Sequence, residues 1–239
     1  MEAYSNPHLA SAIIWWLNYI SSVGREYIIA ESTLKIPATE YLERFYRDQI
    51  QLEYNHPKLS QKRFDLYFND LTNSCETAFE FKFVREDSTR ALAERKRIFY
   101  DLMRLHLFNA PDKKGFFLIC GNRLHFKSSF QNLNLSPKLP LPSSKPSVSG
   151  IIKSGFFGEW FSFDTNNPDR NIDLNNNENE YKQVYSAFMK KYSEPFNVAT
   201  NNILVKPNAI TTKLIFISEE LIDSRIPQTF SIGIWEVIL

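Results

Sequence analysis

The sequence predicts an α/β protein, with a central mixed sheet flanked by helices and a β-rich extension at the C-terminal end. Three observations predict it. Residues 77–84 alternate, with Phe79, Phe81 and Phe83 on one side and Glu80 and Lys82 on the other. A stretch with helical periodicity follows, over residues 89–109, and then residues 115–120 form a continuous apolar run of the kind buried on both faces of a sheet. A helix between two strands is a crossover that permits parallel pairing, so the sheet is expected to be mixed.

Taken in order, Ser5 and Pro7 open a first helix whose apolar members Leu9, Ile13, Trp16, Leu17 and Ile20 recur at spacings of three and four. Gly24 ends it. Residues 25–47 are again helical in pattern, but Pro37 removes a backbone donor near the middle and predicts two helices or one kinked helix. Residues 49–54 alternate polar and apolar, and residues 63–68 are rich in aromatics. With 77–84 they make three strands, separated by the turn formers Asn55, His56 and Pro57, then Asn69, Asp70, Asn73 and Ser74. Their short connections predict an antiparallel meander. Asp87 or Ser88 can cap the helix over 89–109.

Beyond the fourth strand, four prolines (Pro137, Pro140, Pro142, Pro146) make 131–150 a long loop, and the Asn-rich residues 166–179 predict a second. A short helix is expected over 181–192 and strands over 203–206, 214–218 and 230–239. No internal repeat is visible. The organisation expected is a core over 1–130, a proline-rich loop over 131–150 and a C-terminal extension over 151–239. That extension could pack on the core, extend the sheet, or bind a substrate or partner.

A chain of 239 residues can bury roughly 70% of its unfolded surface, so it needs no disulfide or structural metal to fold. With 20 Phe and only 7 Gly, aromatic-filled layers are expected and a glycine-dependent nucleotide loop is not. A formal charge of +1, from 28 basic and 27 acidic side chains, argues against a protein that coats DNA nonspecifically, though a local basic groove is compatible with it. Two isolated cysteines (Cys75, Cys120) and four scattered histidines (His8, His56, His106, His125) exclude a zinc cluster. The apolar run over residues 12–17 is too short to span a bilayer. The expectation is a cytoplasmic protein with reduced cysteines and no membrane contact.

The chemistry concentrates at Asp65, Glu80 and Lys82. Asp65 lies between Phe64 and Leu66 in an apolar strand, where a lone carboxylate is expensive to bury without a partner, a metal or a wet cleft. Glu80 and Lys82 share a strand face, and if the two strands pair, Asp65 approaches Glu80. Two carboxylates close together raise one pKa or attract a cation. Hard oxygen ligands suit Mg²⁺, which takes one or two carboxylates plus water and substrate phosphate. Lys82 adds a positive charge on the same face.

Asp65 followed by Glu80-Phe81-Lys82, within a helix, three strands, helix, strand order over residues 25–121, resembles the PD-(D/E)xK nuclease superfamily of restriction-endonuclease-like fold. Phe64 stands where the signature has proline. The resemblance implies Mg²⁺-dependent phosphodiester hydrolysis, with Mn²⁺ as a substitute and DNA favoured over RNA as the nucleic-acid partner. It implies a divalent ion held by Asp65 and Glu80, a shell completed by the Phe81 carbonyl, and Lys82 assisting the attacking water. It also implies a glutamate on the preceding helix, for which Glu31 fits best and Glu40 competes; Glu53, beside His56, either adds a ligand or closes a turn. The rival reading is a nuclease-fold module that binds nucleic acid or a protein partner without cutting, and a homodimer is left open. A small-molecule hydrolase lacks any G-x-S-x-G-type nucleophile motif.

Plainer readings stand beside these. Glu80 and Lys82 could be the solvent face of an amphipathic strand, and Asp65 a structural acid paired with Arg63 or Arg85. The run Glu94-Arg95-Lys96-Arg97, with Arg90 and Arg104, reads as a solvated helix face ahead of a phosphate contact. Asp101 and Arg104, three apart, are expected to pair with each other. Trp15-Trp16 is read as core.

Overall fold

The computed structural model describes residues 4–71, 74–85, 92–123, 125–126, 157–175, 181–192, 208–218 and 230–238. Helix α1 (Asn6–Ser22) begins at Ser5, whose hydroxyl accepts the His8 N–H, and ends before Gly24, which takes φ 68°. Two short 3₁₀ turns, Glu26–Ile28 and Glu31–Leu34, lead directly into α2 (Lys35–Tyr46). The break therefore lies ahead of Pro37 and not at it. Pro37 occupies the first turn of α2, where its missing N–H would have no intrahelical acceptor.

Strands β1 (Ile50–Asn55), β2 (Arg63–Asp70) and β3 (Cys75–Val84) form the antiparallel meander. Helix α3 (Leu92–Phe108) then crosses to β4 (Lys113–Asn122), which pairs in parallel with β3. The expected caps Asp87 and Ser88 lie outside the described residues. After these come α4 (Phe157–Trp160), β5 (Asp169–Asp173), α5 (Tyr181–Tyr192), β6 (Ala209–Ile217) and β7 (Phe230–Ile238). The proline-rich 131–150 and the strand expected over 203–206 fall outside the described residues.

The described strands make one seven-stranded mixed sheet in the order β1-β2-β3-β4-β7-β6-β5. The C-terminal strands thus extend the sheet, with β7 antiparallel to β4. Strand β5 corrects the reading of 166–179 as loop throughout. Asp and Asn are poor strand formers, but pairing with β6 and burial of Ile172 and Leu174 override that propensity at a sheet edge.

Helices cover both faces. On one side α1, the second 3₁₀ turn and α2 bury Leu17, Leu34 and Leu42 against Phe79, Phe81, Phe116, Leu118 and Ile234. On the other, α3, α4 and α5 bury Phe99, Leu102, Trp160 and Phe188 against Ala78, Phe117, Ile119 and Trp235. Gly115 of β4 lets α3 sit close to the sheet, since a Cβ there would come within 3.0 Å of the Leu105 Cβ. The tryptophan pair divides. Trp16 packs on the α1–α2 core, but Trp15 is 69% exposed and stacks on Tyr19. The buried stripe of α1 is Leu9, Ala10, Ile13, Ile14, Leu17 and Ile20, and at about 100° per residue Trp16 falls on its flank and Trp15 on the opposite side. Among the described residues, no helix is long and apolar enough to cross a membrane.

Candidate active site

The β2–β3 ladder runs from Asp70↔Cys75 to Leu66↔Phe79, so the next residues to face one another are Asp65 and Glu80. There the backbone pairing gives way to a side chain: Asp65 Oδ2 accepts the Phe81 N–H at 2.8 Å. This bond satisfies a strand donor and holds the carboxylate beside Glu80. Alternation along β3 puts Glu80 and Lys82 on the α3 side of the sheet, while Phe79 and Phe81 enter the opposite core. Because β3 is an interior strand, Glu80 is only 2% exposed.

A cleft of about 500 Å³ opens where the β2–β3 ladder ends. Glu31, Asp65, Glu80 and Lys82 all line it, with Arg97, Asp101 and Arg104 contributed by α3 and Arg85 by the end of β3. Lys82 Nζ reaches Glu31 Oε2 at 2.9 Å, so the glutamate at the start of the second 3₁₀ turn fixes the ammonium. Lys35, one turn further on, pairs with Asp65 Oδ1 at 2.9 Å and also with Glu53. Arg104 reaches Glu80 Oε1 at 2.7 Å and Asp101 Oδ1 at 2.7 Å.

Burial pushes the Glu80 carboxyl well above the usual carboxylate range; Arg104 opposes the shift, while Asp101 and Asp65 add to it. Burial likewise raises Asp101 to about 6, with Arg104 again opposing and Asp65 and Glu31 reinforcing. For Arg104 burial works against the charge, but Asp101 and Glu80 outweigh it and keep the guanidinium protonated. Burial also works against Lys35, and its hydrogen bonds to Asp65 and Glu53 raise its pKa overall.

The residues singled out from the sequence, Asp65, Glu80, Lys82 and Glu31, are therefore brought together. Glu40 is exposed on α2 and does not line the cleft, and Glu53 reaches it only through Lys35. The burial of Glu80 and Lys82 excludes a solvent-facing strand. Asp65 is a paired acid, but its partner is Lys35. Arg63 bonds Asn55 and Arg85 donates to the Ile29 carbonyl. Asp101 and Arg104 do pair, yet Arg104 is no solvated face residue, because it neutralises Glu80 at the same time. What the sequence did not single out is Lys35 and the Glu80 contact of Arg104. Their partners lie 30 and 24 positions away, and no local spacing signals them.

The donor set suits a hard divalent cation in one respect: two carboxylates on adjacent strands meet the protein share of a Mg²⁺ shell. Among the described residues no three His, Cys, Asp or Glu side chains gather as a metal cage. Cations of the chain itself stand on Asp65 and Glu80, and an incoming ion would compete with Lys35 and Arg104 for those oxygens. No family model matches the chain, and neither a curated protein nor a solved structure does.

Proposed function

We propose that this cleft hydrolyses phosphodiester bonds of nucleic acid, DNA ahead of RNA, as a PD-(D/E)xK-type site in a restriction-endonuclease-like core. The observation that carries the reading is the convergence of Asp65, Glu80 and Lys82 where the β2–β3 ladder ends, with Glu31 bonded to Lys82. Mg²⁺, or Mn²⁺ in its place, would be held by Asp65 and Glu80, supplying charge neutralisation at the scissile phosphate and a more acidic bound water. The chain's own residues do the rest. Asp65 is oriented by the Phe81 N–H, which leaves Oδ1 directed at cations. Lys82, steadied by Glu31, donates to the attacking water or to the oxygen on which charge develops. Arg85 and Arg97 line the cleft and supply positive charge to a phosphate backbone.

A second reading has its own observation. Lys35 and Arg104 already neutralise Asp65 and Glu80, which suits a module that binds nucleic acid or a protein without cutting. Calorimetry with Mn²⁺ separates the two. The hydrolytic reading expects saturable heat from the parent that Asp65→Asn abolishes; no binding heat, or heat that Asp65→Asn leaves intact, favours the non-cutting module.

A further inference from the structure

Beside the cleft, lysines gather around aromatic rings. Lys62, just ahead of β2, holds its ammonium 3.8 Å from the centroid of Tyr192, and the Lys191 ammonium lies 5.2 Å from the same ring. Lys96 of α3 stands 5.5 Å from the Tyr100 ring, which is also 6.0 Å from Lys62. Among the described residues none of these three lysines has a carboxylate within 4 Å. Burial raises the Tyr192 pKa, but the two ammonium groups beside the ring outweigh it and pull the phenol below its ordinary value. Like charges at such range repel, and an exposed cation–aromatic contact returns only about 0.5–1 kcal/mol. An anion seated between them removes that repulsion.

The cluster is built on rigid parts. Buried Phe188 packs against Tyr100 at 4.8 Å and Tyr192 at 5.0 Å, and the Ser60 N–H donates to the Tyr192 carbonyl at 2.9 Å. It also adjoins the cleft. On α3 the cleft stripe is Arg97, Asp101 and Arg104, and Lys96 and Tyr100 each precede a member of it by one residue, about 100° around the helix. Along β2, Lys62 precedes Asp65 by three residues, or roughly 10 Å.

We propose that Lys62, Lys96 and Lys191, seated on Tyr100 and Tyr192, form a phosphate-binding surface that holds a nucleic-acid strand alongside the cleft. The proposal rests on the reading that the cleft acts on nucleic acid and adds where the strand runs. Such contacts position the backbone and carry no sequence information. They also reconcile a chain of net charge +1 with a polyanionic ligand, because the positive charge is local.

The test is fluorescence anisotropy with a labelled single-stranded oligodeoxynucleotide, in EDTA and at several KCl concentrations. Lys62→Gln/Lys191→Gln should weaken binding on the order of tenfold at 0.1 M salt and lower the slope of log K against log salt by about 1.4. Lys62→Arg/Lys191→Arg should keep the parental slope. Lys96→Gln, which leaves the Tyr192 contacts in place, should lower it by about 0.7. The proposal is overturned by a parent that does not bind, by Gln variants that keep the parental slope, or by an Arg pair that loses as much as the Gln pair. Because binding is read without a metal, its failure is distinct from failure of the same oligonucleotide to be cut when Mg²⁺ is added.

Discussion

Lowering the pH should destabilise this protein through one histidine, by an amount the structure sets. His56 is 2% exposed and both ring nitrogens are engaged. Its Nδ1 accepts the Lys58 N–H at 3.0 Å, so its Nε2–H donates to the Arg104 carbonyl at 3.0 Å. Only the neutral ring can make both bonds, and burial pushes the pKa from 6.5 down to about 3. Since the folded value lies below the unfolded one, the contribution is fully present above pH 6.5 and is lost as pH falls from 6.5 towards 3. At 1.36 kcal/mol per unit, stability should drop by about 2 kcal/mol between pH 7.5 and pH 5, and by about 3 kcal/mol at pH 4. Urea unfolding of the parent and of His56→Gln, in parallel at each pH, isolates the effect, because His106 and the carboxylates titrate in both. The stability difference between the two proteins should shrink by about 2 kcal/mol from pH 7.5 to pH 5. Parallel pH profiles would refute the reasoning. The consequence reaches the site, since His56 ties the β1–β2 connection to the backbone of the residue that holds Glu80.

Three further outcomes follow from the same contacts. Arg104→Met leaves Glu80 and Asp101 buried without their cation and should cost about 3–5 kcal/mol in urea unfolding. That loss should be larger at pH 8 than at pH 5, because below about 6 the parent itself keeps Asp101 protonated, whereas above it the parent has an Asp101 carboxylate paired with Arg104 and the variant has no cation for it. Lys35→Met removes the ammonium competing for Asp65 Oδ1, and Mn²⁺ affinity by calorimetry should rise on the order of tenfold, as loss of a charged hydrogen bond allows; unchanged affinity would place the ion elsewhere. Gly115→Ala should destabilise by about 1–3 kcal/mol, since the added methyl meets Leu105 and its carbonyl and pushes α3 off the sheet, and a thermal melt at the parental Tm would contradict that.

The parts of the fold that could be read from sequence are those whose signal is local. Alternation over 77–84 shows β3 and the shared face of Glu80 and Lys82, apolar spacing shows α3, and the helix expected over 181–192 is α5 over the same residues. Strand β5 was hidden because its stability comes from pairing with β6 and not from its Asp- and Asn-rich residues. The insertion of β7 between β4 and β6 has no local sign, since any apolar run can pair with any other. The site divides in the same way. Asp65 is conspicuous as an acid in an apolar strand, and Glu31 is preferred over Glu40 on the family resemblance, whereas the two 3₁₀ turns that bring Glu31 to Lys82 and leave Glu40 exposed on α2 have no local sign. Lys35 and Arg104 were invisible as site residues because each meets its carboxylate across the fold. The core reading of Trp15-Trp16 fails for Trp15, which lies opposite the buried stripe of α1.

On the proposed reading, Asp65, Glu80 and Lys82 make a metal-dependent site that cuts nucleic acid. Single-turnover cleavage of a labelled DNA oligonucleotide, in Mg²⁺ and in EDTA, with the parent and with folded Asp65→Ala and Lys82→Ala proteins, measures it directly. Cleavage by the parent is expected only with the metal, with a loss of about 10²-fold or more in each variant. Variants that cut as fast as the parent in Mg²⁺, or a parent that cuts equally well in EDTA, would contradict it.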